Sequence, residues 1–539
     1  VRYVEGDIPS HPAGFYSAIS LTAVPYWERV ATPEADSNYL ATTMPIRLRN
    51  TGLNTFEVDN PEWTPRLDGD SDTNPPATFV NQKITEMAFY AGRLWIVAGQ
   101  SFVGSRTDDL LNYWVDDIAN LNDADLIDLQ VGADTASGIT HVLPYSNTVL
   151  IFTGANREYE LTSGASGVVS PSTVSLRETT AYPQPSAAPA RLGSYLYFPT
   201  SGGGSTRLYE YILTDGSVPS TANDVLSHTF GYLPDDVTEM VSISQTDQIF
   251  MRCASTQDIF VYQQAWNGVE KIQNALFRWQ LASADDTILA MDAVGSILYV
   301  LIERAGDTPS LRVESVYTAR ASDDVNQDDF SYPISLDGKQ TLIGNFDPST
   351  GLTTWTSALS SELIPLGVLG DGWRNFAVYS RQVDRSGSFV EVTAASPTTF
   401  TAPGDYSFAP VIFGRTVNMN VLLSQLHVRD EQGMPVVGTF QLKKMFVYHQ
   451  NTGYFAVEIT PPGRSTRTKE YTSKQIGLFT FNQNEQQIAG DGMYPVMVMS
   501  SAAGVKVALT SDNPAPVNIP YIETIGGFVP SKSSTTNYR

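Results

Sequence analysis

The sequence contains very little cysteine and little basic charge. Its 539 residues include one cysteine, Cys253, which excludes an internal disulfide. Lys and Arg total 33 against 57 Asp and Glu, giving a formal net charge of −24. Surfaces that bind nucleic acid place Lys and Arg against the phosphates, so this balance argues against a DNA-gripping protein. Stability must come from packing or assembly, and the apolar run Ile249–Cys253 predicts that Cys253 is a core residue.

Long apolar runs and the spacings of known reactive sites are also missing. No stretch of 18 or more apolar residues occurs, so no membrane span is predicted. The five histidines show no metal-ligand spacing, and neither a G-x-S-x-G nor a P-loop motif is present. The histidines are His11, His141, His228, His427 and His449. The sequence therefore predicts no metal, no cofactor and no enzyme.

One polar segment has the look of a calcium loop. Residues 68–74 read Asp-Gly-Asp-Ser-Asp-Thr-Asn, which is similar to the start of an EF-hand loop. The required Gly is replaced by Thr73 and the required Glu by Phe79. A polar loop is therefore the expected structure, with Ca²⁺ binding as the alternative.

Short apolar runs separated by turn residues repeat along the middle of the chain. Successive units begin at intervals of 48 to 55 residues, and each offers three or four strand-sized segments. The units begin at Ile84, Ile139, Ala187, Val237 and Ile288. This period is typical of propeller blades, which stack because a small sheet cannot bury both faces alone. We predict a mainly β fold with a β-propeller-like core of short antiparallel blades; a meander of hairpins with accidental spacing is the alternative.

The chain divides into three predicted regions. Residues 1–83 form a connecting or platform segment, residues 84–322 the blades, and residues 323–539 a further C-terminal β-region. In that last region, Phe440–His449 and Tyr454–Ile459 flank the turn residues 450–453, which predicts a hairpin.

Acidic residues cluster in the connection between the first two units. They are Asp108, Asp109, Asp116, Asp117, Asp123, Asp125 and Asp128. The connection is longer than a hairpin needs, so we predict that several of these acids lie near a channel or a subunit interface. Glycosidase chemistry is the alternative use of such acid pairs. It needs two carboxylates about 5–10 Å apart, and sequence does not give that distance.

Taken as a series, several segments are similar to the tail nozzle family of short-tailed bacteriophages (podoviruses), the tail tubular protein B family. The similarity covers roughly residues 60 to 527, and no single motif would suffice. Its segments are residues 70–79 (DSDTNPPATF), 84–94, Ser105-Arg106-Thr107 before Tyr113-Trp114, 144–152, 192–198, 223–228, 440–455, and 514–519 before Gly526-Gly527.

The resemblance implies a structural virion protein of the phage tail. Six copies would form a ring below the tail adaptor (gatekeeper, tail tubular protein A), and DNA and internal virion proteins would pass through the lumen without specific binding. The C-terminal region would form the nozzle tip or dock tail fibres and partly close the ring. The family's Gly/Gln/Pro-rich opening has no counterpart here, so we expect the family N-terminus to be missing. The alternatives are a virion polysaccharide depolymerase and a receptor-binding adhesin on a propeller scaffold.

Overall fold

The computed structural model is built of β-strands throughout the part of the chain that it describes. It describes residues 2–4, 14–19, 26–30, 39–53, 55–132, 137–145, 147–163, 167–212, 221–268, 270–281, 286–304, 310–319, 330, 332–357, 374–380, 387–396, 398–429, 436–473 and 492–530. The predicted boundary at residue 323 and His11 lie outside these residues. No helix within them is long and apolar enough to cross a membrane. The chain forms two compact units, Val1–Glu303 with Leu311–Val316, and Arg304–Ser310 with Tyr317–Arg539.

The first unit begins with two small antiparallel elements. A three-stranded sheet contains β1 (Arg2–Val4), β2 (Gly14–Ile19) and β3 (Tyr26–Val30). A single 3-10 turn, Ala41–Thr43, precedes a two-stranded hairpin of β4 (Arg47–Gly52) and β5 (Thr55–Asp59).

Five antiparallel sheets then follow one another along the chain. In each, the strands pair in sequence order. The first sheet contains β6 (Ile84–Tyr90), β7 (Arg93–Ala98), β8 (Ser101–Gly104) and β9 (Ile127–Gln130), and the second contains β10 (Ile139–Tyr145), β11 (Thr148–Thr153), β12 (Arg157–Thr162) and β13 (Ser175–Thr180). The third contains β14 (Ala190–Leu192), β15 (Tyr195–Gly202), β16 (Ser205–Ile212) and β17 (Thr221–Asp224), and the fourth contains β18 (Val237–Ile243), β19 (Gln248–Cys253), β20 (Asp258–Trp266) and β21 (Lys271–Gln280). The fifth contains β22 (Thr287–Val294), β23 (Ile297–Arg304) and β24 (Ser310–Tyr317).

The sheets pack face to face in the same order. One apolar cluster joins the first and second sheets, one the second and third, one the third and fourth, and one the fourth and fifth. Phe152 of the second sheet lies 5.3 Å from Phe198 of the third, ring centroid to ring centroid. Because each sheet covers its neighbour, burial of apolar area stabilises the array as a whole. The predicted propeller-like core is confirmed.

The first strand of four of these sheets carries the same irregularity. A β-bulge falls between Ile84 and Glu86, and again at the corresponding positions of β10, β18 and β22. In three sheets the bulged residue is a threonine whose hydroxyl donates to a carbonyl on the second strand: Thr85 to Val97 (3.4 Å), Thr140 to Phe152 (3.2 Å) and Thr238 to Arg252 (3.4 Å). The repeated Ile/Val-Thr motif in the sequence thus marks the position of a repeated bulge.

Cys253, on β19, is buried in the apolar cluster between the third and fourth sheets, as predicted. Burial raises the pKa of its thiol to about 12. It behaves as a small apolar side chain.

Over the residues that the structure describes, the second unit forms three sheets. A seven-stranded sheet has the order β25 (Leu336–Ile343), β31 (Pro410–Thr416), β28 (Asn375–Ser380), β29 (Gly387–Ala394), β30 (Thr399–Pro403), β27 (Leu352–Thr356) and β26 (Asn345–Asp347). A four-stranded sheet orders β32 (Met419–Leu422), β37 (Lys506–Ser511), β34 (Tyr454–Thr460) and β35 (Arg467–Thr472), and a three-stranded sheet orders β36 (Gly492–Ser501), β33 (Gly438–His449) and β38 (Tyr521–Pro530). One apolar cluster joins these last two sheets.

The predicted hairpin at residues 440–459 is wrong. Strands β33 and β34 exist with nearly the predicted bounds, but β33 pairs with β36 and β38, whereas β34 pairs with β35 and β37. The connecting residues bond elsewhere: the Gln450 amide donates to the Asn518 carbonyl (3.0 Å) and the Gly453 amide to Pro516 (3.0 Å). Side chains of both β33 and β34 pack into the apolar cluster between the two sheets. The chain therefore crosses from one sheet to the other at residues 450–453.

Candidate functional site

The acidic connection, residues 105–126 between β8 and β9, is the candidate site. It begins against the first sheet, where the Ser105 amide donates to the Leu94 carbonyl (2.9 Å). The turn that follows has Asp108 at a φ of 59°, and its amide donates to the Gly92 carbonyl (2.9 Å). The connection is therefore attached to the β6–β7 turn from its first residues.

A buried arginine holds the middle of this connection. Arg93 has no exposed surface, and its guanidinium donates to the backbone carbonyls of Ser105 (2.7 Å), Asp123 (2.7 Å) and Asp125 (2.5 Å). Burial lowers the pKa of Arg93, while the charge of Asp125 opposes that change. The planar fork of donors fits several carbonyls at once, so Arg93 fixes the course of the acidic chain.

Asp125 is the fully buried member of the seven acids. Its carboxylate accepts backbone hydrogen bonds from Asn122 (2.8 Å) and Asp116 (3.3 Å), and Arg106 Nε lies 4.0 Å away. A buried carboxylate is stable only when donors and a countercharge surround it. Asp125 is therefore an internal anchor and lies away from solvent.

Three further acids hold nearby backbone or side chains. Asp128 accepts from the Thr78 amide (2.8 Å) and hydroxyl (2.6 Å). Asp116 pairs with Arg106 (3.2 Å), and Asp117 accepts from the Ala119 amide (2.9 Å). These contacts order the connection but leave Asp128 exposed and Asp116 and Asp117 half-buried.

The remaining acids present charge to solvent. Asp108 and Asp123 are exposed and Asp109 is half-buried. All seven carboxylates thus belong to one ordered connection and the strand that follows it. A channel or subunit interface is a property of an assembly, so their place beside either one stays a prediction.

The calcium-like segment docks on the same connection. Asn74 is buried, and its side-chain amide donates to the carbonyls of Asp68 (2.8 Å) and Val115 (2.9 Å). Asp68 accepts from the Ile118 amide (2.9 Å), and one oxygen of Asp70 accepts three bonds from within the loop. Among the described residues, no group of three or more His, Cys, Asp or Glu is placed to hold a metal. The observed role of this segment is to support the acidic connection.

Sequence reasoning missed the carboxylates that link one sheet to the next. Glu86 of the first sheet accepts the Val142 amide of the second (3.0 Å), and Glu239 of the fourth accepts the Met291 amide of the fifth (3.1 Å). Each donor follows the bulge in the first strand of its sheet. The recurring third-position Glu of Ile84-Thr-Glu-Met87 and Val237-Thr-Glu-Met240 was the available signal.

Other polar side chains reinforce the same stacking. Tyr145 ends β10 and donates its hydroxyl to the Ser194 carbonyl of the third sheet (2.5 Å). Between the third and fourth sheets, Lys271 pairs with Glu210 beneath the ring of Trp266, whose centroid lies 5.6 Å from Nζ. The sheets are thus joined by directional contacts as well as apolar ones.

Burial raises the pKa of Glu86 to about 6, although its bond from the Val142 amide opposes the shift. The pKa of His141, whose Nδ1 lies 3.7 Å from Glu86, is lowered by burial. Both shifts favour neutral side chains at this junction.

Replacing Arg93 with Met should destabilise the first unit by about 3–5 kcal/mol, since it leaves several buried carbonyls without donors. Urea unfolding measures this change. The matched control is Arg207→Met at an exposed position, which should cost less than about 0.5 kcal/mol. An Arg93→Met protein as stable as the control would contradict the anchoring role.

Replacing Glu86 with Gln should remove a pH-dependent cost. Because the folded-state pKa lies above the ordinary 4.5, native stability at this site falls as pH rises from about 4.5 to 6. Relative to the native chain, Glu86→Gln should therefore gain stability across that window. Urea midpoints at pH 4.5, 5.5 and 7 test this, with exposed Glu303→Gln as control; a difference that does not change with pH argues against it.

Comparison with known proteins gives one family and one curated relative. The model of the family described as bacteriophage nozzle protein matches residues 4–535. Tail tubular protein gp12 of Escherichia phage T7 is 25% identical over 509 residues, covering 92% of this chain and 62% of the relative. The chain thus spans less than two thirds of that relative's length.

Solved structures show only weak likeness. The Dos1 propeller has a TM-score of 0.26 at 11% identity, covering 51% of this chain and 67% of its own. An exo-beta-1,3-galactanase from Phanerochaete chrysosporium has a TM-score of 0.24 at 9% identity, covering 84% and 98%. These scores are too low to support a conclusion on fold or activity.

Proposed function

The chain belongs to the bacteriophage nozzle protein family and is a structural component of the virion tail, and on that premise we propose that it builds the wall of an ejection channel. Six copies form a ring below the tail adaptor, tail tubular protein A. DNA and internal virion proteins leave the particle through the axial hole and enter the bacterial host.

The family match over residues 4–535 carries this proposal, because it includes both compact units. The resemblance inferred from the sequence segments is thereby confirmed. The ring, its copy number and its partners go beyond that match and are proposed here.

The acidic connection supports a conducting surface. Arg93 and Asp125 hold it in a defined shape, while Asp108 and Asp123 keep their carboxylates in solvent. A wall of fixed negative charge repels phosphate and prevents DNA from adhering as it passes. We propose that this connection faces the lumen or the neighbouring subunit.

Each of the three predicted regions has its own proposed role. Residues 84–322 form the wall, residues 1–83 the platform toward the adaptor, and residues 323–539 the nozzle tip, the fibre-docking surface and part of the ring closure. Small stacked sheets suit a wall, since each is supported on its faces by its neighbours.

We also propose that the chain catalyses no reaction. Asp125 is enclosed by backbone donors, and Asp116 is paired with Arg106, so neither offers the free acid that sugar hydrolysis needs. No observation on the described residues favours a depolymerase or an adhesin.

Class-averaged electron micrographs of the purified chain or of isolated tails test the proposal. We expect end-on views with six-fold symmetry and an axial hole. Particles that lack a central hole at every concentration would contradict the channel. Exchanging Asp108 and Asp123, both exposed in the single chain, for Asn distinguishes the two placements: the ring shape should be unchanged when the connection faces the lumen and altered when it faces the neighbouring subunit.

A further inference from the structure

The three-stranded sheet of β36, β33 and β38 packs on the four-stranded sheet with one face only. Met445, Val447 and Val496 enter the apolar cluster between these two sheets. Successive side chains along a strand alternate between its two faces. The intervening residues of the three strands therefore lie on the opposite face, which is called the outer face here.

The outer face is a regular grid of nine side chains, three from each strand. The first row contains Met493, Tyr448 and Tyr521, the second Pro495, Phe446 and Glu523, and the third Met497, Lys444 and Ile525. Seven of the nine are apolar or aromatic. Met493, Met497, Tyr521 and Ile525 are 48%, 53%, 57% and 45% exposed. Contiguous apolar exposure of this kind marks an interaction site.

The polar groups of the outer face are tips of largely apolar side chains. Lys444 Nζ lies 4.2 Å from the centroid of the Phe446 ring, and the rings of Tyr448 and Tyr521 stack with their centroids 4.2 Å apart. Glu523, the acid among the nine, accepts a hydrogen bond from the Tyr448 hydroxyl (3.2 Å). Lys and Tyr side chains of this kind are favoured at the boundary between water and lipid.

The two packed sheets carry an excess of basic charge. Their seven strands contain five Lys or Arg against three Glu, a formal charge of +2 in a chain whose total is −24. The bases are Lys443, Lys444, Arg467, Lys469 and Lys506, and the acids are Glu458, Glu470 and Glu523. Ion pairs in the described part of the chain involve other bases, so these five cations are not neutralised by an acid.

Several of these cations border the outer face. The guanidinium of Arg467 on β35 donates to the Val498 carbonyl (2.8 Å), which places β35 beside the edge strand β36. Lys469 on the same strand and Lys443 on β33 are exposed. Glu470 is exposed as well, so the border retains an excess of positive charge.

The size of the outer face favours a lipid surface over a protein partner. With strands about 4.8 Å apart and same-face residues about 6.8 Å apart, its nine positions cover roughly 300 Å². A stable protein interface takes about 800 Å² from each partner. Peripheral binding to a bilayer has no such threshold, because its strength grows with apolar area and with attraction between cations and anionic headgroups.

We propose that the outer face binds the surface of a bilayer that contains anionic phospholipids. Met493, Met497 and Ile525 enter the boundary between headgroups and acyl chains. Lys443, Arg467 and Lys469 lie at the level of the phosphates, where their charge attracts the anionic lipids. A single chain carries the whole face, so this inference goes beyond the proposed channel and does not depend on the ring.

Flotation of the purified chain with vesicles tests the contact. One preparation mixes about one part phosphatidylglycerol with two parts phosphatidylcholine, and the other contains phosphatidylcholine alone. We expect the chain to float with the mixed vesicles and to bind the neutral ones about tenfold less, since these offer the cations no net negative charge. Raising the salt to about 1 M, where the Debye length is about 3 Å, should reduce binding to the mixed vesicles to a similar degree.

Two substituted chains separate the apolar part of the contact from the charged part. Met493→Asp with Met497→Asp places carboxylates on the outer face, whereas Lys443→Glu with Lys469→Glu reverses two charges at its border. Each should lower binding to the mixed vesicles about tenfold or more. All four positions are exposed, so the circular dichroism of both chains should match that of the native chain.

The matched controls make the same exchanges on the first unit. They are Leu311→Asp with Val313→Asp, at exposed apolar positions of β24, and Lys83→Glu with Arg207→Glu, at exposed basic positions. Each control changes the net charge by as much as its test variant. Both should bind the mixed vesicles within about twofold of the native chain.

Absence of flotation, equal flotation with both vesicle preparations, or flotation that survives the Met493 and Met497 exchange would overturn the lipid contact. If these exchanges instead break up an oligomer of the chain in sedimentation, the outer face is a protein contact and the inference is also overturned. Six-fold rings in micrographs without flotation would leave the proposed channel standing. Flotation of chains that form no ring at any concentration would overturn the channel and leave the lipid contact standing.

Discussion

The structure of the first unit depends on one constraint: a sheet of three or four short strands cannot bury both of its faces alone. Neighbouring sheets among the five therefore have to hold each other in register. Glu86 and Glu239 show how, because each reaches across to the amide that follows a bulge in the neighbouring sheet. The amide that follows the bulge donates to the carboxylate, and the apolar cluster between the two sheets excludes water from this bond.

This arrangement explains why the repeat could be read from the sequence. Ile84, Ile139 and Val237 begin both a predicted unit and an observed first strand, since the motif they open encodes the bulge. At the fifth sheet the strand begins at Thr287, one residue before the predicted start. Composition and turn spacing were sufficient for the fold class because they act locally.

Tertiary roles were harder to predict. Turn residues 450–453 are compatible with a hairpin, but they do not tell whether the flanking strands pair with each other, and here they join two different sheets. Arg93 has the sequence context of an exposed strand end, yet it is buried under the acidic connection. Likewise, Asp125 cannot be distinguished by sequence from Asp123, although one is enclosed and the other is exposed.

The acidic connection contributes both to the stability of the first unit and to the proposed conduction. The guanidinium of Arg93 binds its backbone, so the fixed shape of the charged loop depends on a cation that solvent does not reach. Charge that faces solvent is then held on a rigid sheet. That combination suits a wall past which a polyanion must slide.

Hydrogen–deuterium exchange of Glu239→Ala tests most directly whether the sheets hold one another. The account predicts faster exchange at Met291 and along β22 and β23, with β6 to β9 of the first sheet unchanged, because the fifth sheet loses its link to the fourth. Unchanged protection of the fifth sheet would contradict the account, as would equal loss of protection in all five sheets.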